Sequence, residues 1–253
     1  MSEENNALPE NGSAQEDQLS VSDAITGVIT APGETFETIA NTPRKNYWII
    51  PVLISIVLGL ISTFMFMQDA ELVDKLMDKQ KNKMREKFEE SIKQGKMTKE
   101  DADKAIESMN PKGTFFKIIG FGGAAVGPFI ILLLLSVVYL IALKIMKAQF
   151  EFTNILNVVG LALLIATVGN LISMVVSIIK GDLSTLGLSL FISESSAGEK
   201  MYSLISKIDI FYIWFYVVIA IGLSKIARIK MLKSVIVVFF VWIVYLTVST
   251  LLF

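Results

Sequence analysis

Few residues in this chain have both the type and the setting to do chemistry, and each has a plainer structural role. Asp209 stands at the first turn of an apolar helix. A carboxylate there can relay a proton, or it can cap the helix and favour its dipole. Asn170 lies near the middle of another apolar stretch, with Ala162 and Ala166 at successive fourfold spacing. An unpaired amide at that depth is costly, so it should face another helix, as interhelical glue or as a substrate-binding group. The run 120–128, Gly-Phe-Gly-Gly-Ala-Ala-Val-Gly-Pro, has the glycines of a phosphate loop, but no strand precedes it and no Gly-Lys-Ser/Thr follows. In an apolar helix, Gly123 and Gly127 make a small-residue face for close packing, and Pro128 a kink whose freed carbonyl neighbouring groups satisfy. Lys225, Arg228, Lys230 and Lys233 form a short basic connection without an acid. That composition suits anionic lipid headgroups.

The chain contains no His and no Cys. That removes disulfides, thiolate chemistry, the usual proton shuttle, zinc motifs of the H-E-x-x-H type and the Ser–His logic of an intramembrane protease. No catalytic, cofactor-binding or metal-ligating set is expected, and no cofactor.

Five apolar segments must carry these residues: 47–67, 118–146, 155–179, 208–226 and 234–253. Each has about 20 residues or more, the length that takes a helix across ~30 Å of hydrocarbon. Hydrophobic residues make up 53% of the 253, concentrated in these segments, and the formal charge of −1 hides a strong segregation of charge. The expected fold is all-α: a polytopic membrane bundle of five transmembrane helices spanning 47–253, with a charged insert at 68–117 between the first and second.

Residues 1–21 are read as a disordered acidic tail, too polar to offset ordering entropy. No cleavable signal peptide is expected, and the first span serves as the insertion signal. Residues 22–46 hold two short amphipathic helices separated by Pro32 and Gly33; Ser22 or Asp23 can cap the first, and the second covers 34–40 with Phe36 and Ile39 on one side. Such pieces lie in the membrane interface, or pack against the bundle. In the insert, 69–94 is almost unbroken helix formers with Leu72, Leu76, Met84, Phe88 and Ile92 at multiples of four. Gly95 ends it, and Thr98 to Asp101 resembles a capping box that opens a second helix ending at Asn110-Pro111. The insert therefore reads as a helical hairpin. Its twelve basic and eleven acidic residues are interleaved, a solvated surface without the basic excess nucleic acid requires. The stretch 183–192 is apolar but too short to span, and reads as re-entrant or surface-lying.

Orientation follows from the basic residues. Arg44 and Lys45, then Lys144 and Lys147, then the Lys225 to Lys233 group share one side if there are five crossings. Positive-inside makes that side cytoplasmic, with the C-terminus outside. The twelve basic residues of the insert on the opposite side count against this.

Several segments resemble the Yip1 family of membrane proteins, in its bacterial branch. They are Val28-Ile29-Thr30-Ala31-Pro32-Gly33-Glu34-Thr35-Phe36, then Thr42-Pro43 and Trp48-Ile49-Ile50-Pro51, and Ile208-Asp209-Ile210-Phe211-Tyr212-Ile213-Trp214 with Gly222-Leu223-Ser224 beyond. The likeness runs from about Thr26 to the end, leaving out the insert. It implies five helices after a cytosolic N-terminal tail, a location in the bacterial inner membrane and no catalytic residues. Eukaryotic relatives associate with prenylated Rab GTPases and help shape or sort vesicles; no Rab-binding sequence is visible here.

Three functions compete. The first is a non-enzymatic scaffold or adaptor organising lipids or partner proteins, with protein partners docking on the 68–117 hairpin and self-association possible through the small-residue faces. The second is a small-solute or ion transporter or channel, kept open by Pro128, the glycines and Asn170. An intramembrane enzyme would need a nucleophile with a base, or paired carboxylates, and neither is visible.

Overall fold

The computed structural model describes residues 19–107, 113–192 and 194–252. Among them the architecture is helical throughout, with one isolated antiparallel bridge between Gly187 and Asp209. Two short helices, α1 (Val21–Thr30) and α2 (Pro32–Asn41), precede α3 (Ile49–Gln68). The insert forms α4 (Ala70–Lys93) and α5 (Lys99–Glu107), followed by the long helices α6 (Thr114–Ile145) and α7 (Phe152–Lys180). After a 3-10 turn at Leu188–Leu190 come α8 (Glu194–Ala197), α9 (Glu199–Ser206), α10 (Ile210–Ile226) and α11 (Met231–Leu252).

Among the described residues four helices, rather than the expected five, are long and apolar enough to cross a membrane: α3, α6, α7 and most of α11. The fourth expected span, α10, has 17 residues, about 26 Å of helix. It is short because Asp209 caps it at one end, while at the other the chain turns through Arg228 in the left-handed region (φ 50°).

α7 is the hub, packed against α3, α6 and α10, and its first half is almost wholly buried. Close approaches show how the helices are staggered. A Cβ on Gly160 of α7 would come within 2.5 Å of the Trp48 Cβ, so α3 begins level with Gly160, roughly 12 Å past the start of α7. One on Gly169 would meet Phe211 at 2.4 Å, and one on Gly222 would meet Val158 at 2.5 Å. Hence α10 lies antiparallel to the first half of α7 and begins level with Gly169, roughly 17 Å short of Lys180. The stagger leaves a notch beside α7 at each end of the bundle.

α1 and α2 fill the first notch. Ala24, Val28, Phe36 and Ile39 join the main core, with α2 on α10 and α1 on α7. The apolar face that could have lain on lipid is thus packed on protein, which is the bundle-packing alternative. Burying Phe36 alone is worth about 1.5–3 kcal/mol. The N-cap is Ser20, whose Oγ accepts from the Asp23 amide at 3.0 Å, and not Ser22 or Asp23. α2 starts at Pro32, two residues before the expected boundary, because proline is preorganised for a first helical position. Residues 19–21, expected in the disordered tail, are ordered: both Lys45 Nζ and Tyr47 Oη donate to the Leu19 carbonyl, each at 2.9 Å. Tyr47, the first residue of the first apolar segment, is buried.

In the insert, Asp69 caps α4 by accepting from the Leu72 amide at 3.1 Å. Gly95 takes a left-handed φ of 69°, and Thr98 caps α5 through the Asp101 amide at 3.1 Å while its own hydroxyl donates to the Asp101 carboxylate at 2.6 Å. α5 packs on α4, burying Ala102 and Ile106. Of the expected α4 stripe, Leu72 is buried and Leu76, Met84, Phe88 and Ile92 are half-buried; Val73 and Met77 complete the buried set. The Asn110-Pro111 stop lies outside the described residues.

Candidate functional site

The second notch is the most elaborate polar region of the bundle. From Gly181, in the left-handed conformation that ends α7, the chain folds back along α7 towards the start of α10. Ser177 of α7 holds the descending strand: its Oγ accepts from the Ser184 amide at 2.9 Å. At the bottom, Asp209 is 3% exposed. One carboxylate oxygen accepts from the Phe211 amide at 2.7 Å, capping α10, and the other accepts from the Leu186 amide at 2.7 Å. Gly187 permits this contact, since a Cβ there would fall 2.0 Å from the Ile208 carbonyl oxygen. The segment read as re-entrant or surface-lying folds back on α7, and Asp209 anchors it to the start of α10. Both oxygens are bonded to backbone amides, the geometry of a structural cap.

Beside Asp209, Tyr212 Oη donates to Asn170 Oδ1 at 3.2 Å. The amide thus meets a neighbouring helix, though Asn170 keeps an exposed edge. Above them, α4 and the folded-back segment enclose a cleft of about 510 Å³ lined by Lys75, Lys79, Lys180, Asp182, Phe191 and Tyr202 among others. Lys75 Nζ donates to the Gly181 carbonyl and pairs with Glu71 at 2.9 Å. That hydrogen-bonded carboxylate holds Lys75 above the ordinary lysine value. The Lys79 ammonium lies 5.9 Å from the centre of the Tyr202 ring.

At the opposite end, the basic connection is partly occupied by protein. Lys225 Nζ pairs with Glu37 of α2 at 2.6 Å, and Arg228 Nη2 donates to Asn41 Oδ1 at 3.2 Å. These two residues, expected to face anionic lipid, instead hold α2 on α10. Lys230 and Lys233 are exposed. The Lys225 ammonium draws Glu37 below the ordinary carboxylate value, through its hydrogen bond first and its charge second. Nearby, Arg44 pairs with Glu151 at 2.6 Å, joining the entry of α3 to the start of α7.

The glycine face also differs from expectation. A Cβ on Gly123 or Gly127 would meet nothing within 4 Å, so within the chain neither makes a close helix contact. The approach occurs at Gly59, whose Cβ would sit 3.6 Å from the Ala124 carbonyl oxygen. That is the carbonyl Pro128 leaves without its helical donor. α6 continues through Pro128 as one helix.

Asn157 is the polar residue the sequence reading missed. Fully buried on α7, it donates from Nδ2 to the Lys45 carbonyl at 2.9 Å and accepts at Oδ1 from the Trp48 amide at 3.2 Å. Its spacing, Asn154 and Asn157 opening an apolar helix, was the available signal. Among the described residues no group of three or more Asp or Glu is placed to hold a metal ion.

Long apolar helices around one hub, with Asn157, Ser177 and Asp209 bonded to the backbone of neighbouring segments, define an integral membrane helical bundle. The pattern of the Yip1 domain matches residues 26–252, nearly the whole chain, and the protein belongs to that family. No curated protein and no solved structure matches it.

Proposed function

We propose that the protein is a non-enzymatic membrane scaffold or adaptor that crosses the bilayer five times and organises lipids or partner proteins around a protruding arm. The observation that carries this is the contrast between arm and bundle. α4 is a 24-residue helix, about 36 Å long, with charged residues over most of its surface. It is tied to the body near its first turns, through Lys75 to Gly181 and Lys79 over Tyr202. A solvated arm on a rigid base is suited to docking. In the bundle, Asp209, Asn157 and Ser177 are engaged in backbone hydrogen bonds that hold elements together.

Five crossings follow if α10 spans with its ends extended by the flanking turns, since 17 residues is the lower limit for a spanning helix. The arm and the folded-back segment then share one side. Arg44, Lys147, Arg228 and Lys230 share the other, which positive-inside makes cytoplasmic, in a bacterial inner membrane if the chain is of that branch. Crosslinking from α4 and α5 in native membranes should recover oligomers or partner proteins; a strictly monomeric, partner-free protein would defeat this reading.

One observation favours a second reading, a small-solute or ion transporter. A segment folded back beside a buried carboxylate and a half-exposed Asn170–Tyr212 pair resembles the broken-helix arrangements transport proteins use at substrate pathways. Flux through liposomes containing the purified protein, abolished by Asn170→Leu, would establish it.

A further inference from the structure

The lysine-lined cleft between α4 and the folded-back segment has a chemistry that neither the family match nor the basic connection at the other end accounts for. Lys75, Lys79 and Lys180 converge on it from two elements, against one lining carboxylate among the described residues, Asp182. Glu71 and Asp69 are the other acids acting on Lys75. Lys207 is held below the ordinary lysine value by burial first and by the charge of Lys83 second. The cleft's volume of about 510 Å³ lies within the range of small-ligand pockets, roughly 300–1,000 Å³.

We propose that this cleft binds the phosphate headgroup of an anionic phospholipid, with Lys75, Lys79 and Lys180 around the phosphate. The choice of lipid over a free anion comes from the apolar rim. Phe191, a lining residue, is 87% exposed, and Leu183, Leu190 and Ile192 line the cleft beside it. Such side chains beside a cationic cleft at the end of a membrane helix suit acyl chains next to a headgroup, whereas a soluble phosphate gains nothing from them. Lys75 is fixed in place by the Gly181 carbonyl, so part of the site is preorganised by the turn that ends α7. The inference deepens the lipid-organising part of the proposed function and rests on it.

The test uses the full chain in neutral detergent, titrated with short-chain phosphatidylglycerol and followed by native mass spectrometry. Lys75→Gln with Lys180→Gln should weaken binding by about fivefold for each lysine removed. Asp182→Asn, whose side-chain oxygen can still accept from the Leu183 amide, should tighten it by a similar factor, a gain that a misfolded variant does not imitate. Lys99→Gln, at an exposed position of α5, should leave the titration unchanged. Binding unaffected in the cleft variants, or lost only in the Lys99 variant, overturns the proposal. Equal competition by glycerophosphate or inorganic phosphate would show a free-anion site and overturn the choice of lipid. Failure of the cleft leaves partner crosslinking from α4 and α5 unaffected, so the two readings fail separately.

Discussion

Replacing Asp209 by Ala strands two backbone amides, those of Leu186 and Phe211, in a place water does not reach. A buried donor left without its acceptor costs about 1–3 kcal/mol, so the pair should cost about 2–6 kcal/mol, towards the upper half because the lost acceptor is charged. Asp209→Asn keeps one carbonyl oxygen and can satisfy one amide, so it should cost about half as much. The assay is reversible unfolding in mixed micelles, followed by tryptophan fluorescence; Trp214 lies in the second turn of α10, next to the perturbed cap. Hydrogen exchange adds a local readout: the amides of Leu186 and Phe211 should both exchange faster in Asp209→Ala. In Asp209→Asn one of the two should stay protected. Equal stability of the Ala and Asn variants, or unchanged protection at Leu186, would refute the view that this carboxylate pins the folded-back segment.

Asn157→Ala should destabilise by about 2 kcal/mol in the same unfolding assay, by stranding the Trp48 amide and the Lys45 carbonyl together. Gly160→Leu should cost more than about 3 kcal/mol, because its Cβ would meet the Trp48 backbone, whereas Gly123→Leu, facing open space, should stay within about 0.5 kcal/mol. Glu37 and Glu151 both have folded values below the ordinary 4.5, lowered first by their hydrogen bonds to Lys225 and Arg44. Their contribution is therefore complete above the ordinary carboxylate value and lost as pH falls through the depressed values. A spin label at Thr38→Cys should gain mobility only on that acid side and only slightly, since both pairs are exposed. With no native Cys, single cysteines report sidedness directly: Lys147→Cys and Lys230→Cys should react with an impermeant maleimide from one face of the membrane and Lys93→Cys from the other.

The helices were legible because an apolar run of spanning length has few alternatives, and the Thr98 cap because it is a local hydrogen bond between near neighbours. The stagger was not legible. It is set by contacts distant in sequence, such as Gly160 with Trp48 and Gly222 with Val158, and a glycine in an apolar run looks alike whether it meets a ring or open space. The reading therefore favoured Gly123 and Gly127, clustered in sequence, over Gly160, Gly169 and Gly222, which are dispersed but make the contacts. Lys225 and Arg228 were misread for a related reason. A basic connection looks lipid-facing until Glu37 and Asn41 arrive from a helix nearly two hundred residues earlier.

Stagger and polar placement are one problem solved twice. Beginning α3 late and α10 late leaves two places where non-helical backbone must run beside apolar helices, and such backbone is tolerated at depth only if its amides and carbonyls are satisfied by protein. Asn157 does this at one end, supplying a donor to Lys45 and an acceptor to Trp48 where the chain enters α3. Asp209 does it at the other, supplying acceptors to Leu186 and Phe211 where the chain enters α10. The residue types follow from what each entry lacks. The α3 entry has both a carbonyl and an amide to satisfy, which an amide side chain matches. The α10 entry has two amides, which the two oxygens of a carboxylate satisfy one apiece. A buried carboxylate at this depth therefore needs no catalytic or transport role to explain it, and that is the physical ground for ranking the scaffold reading above the transporter.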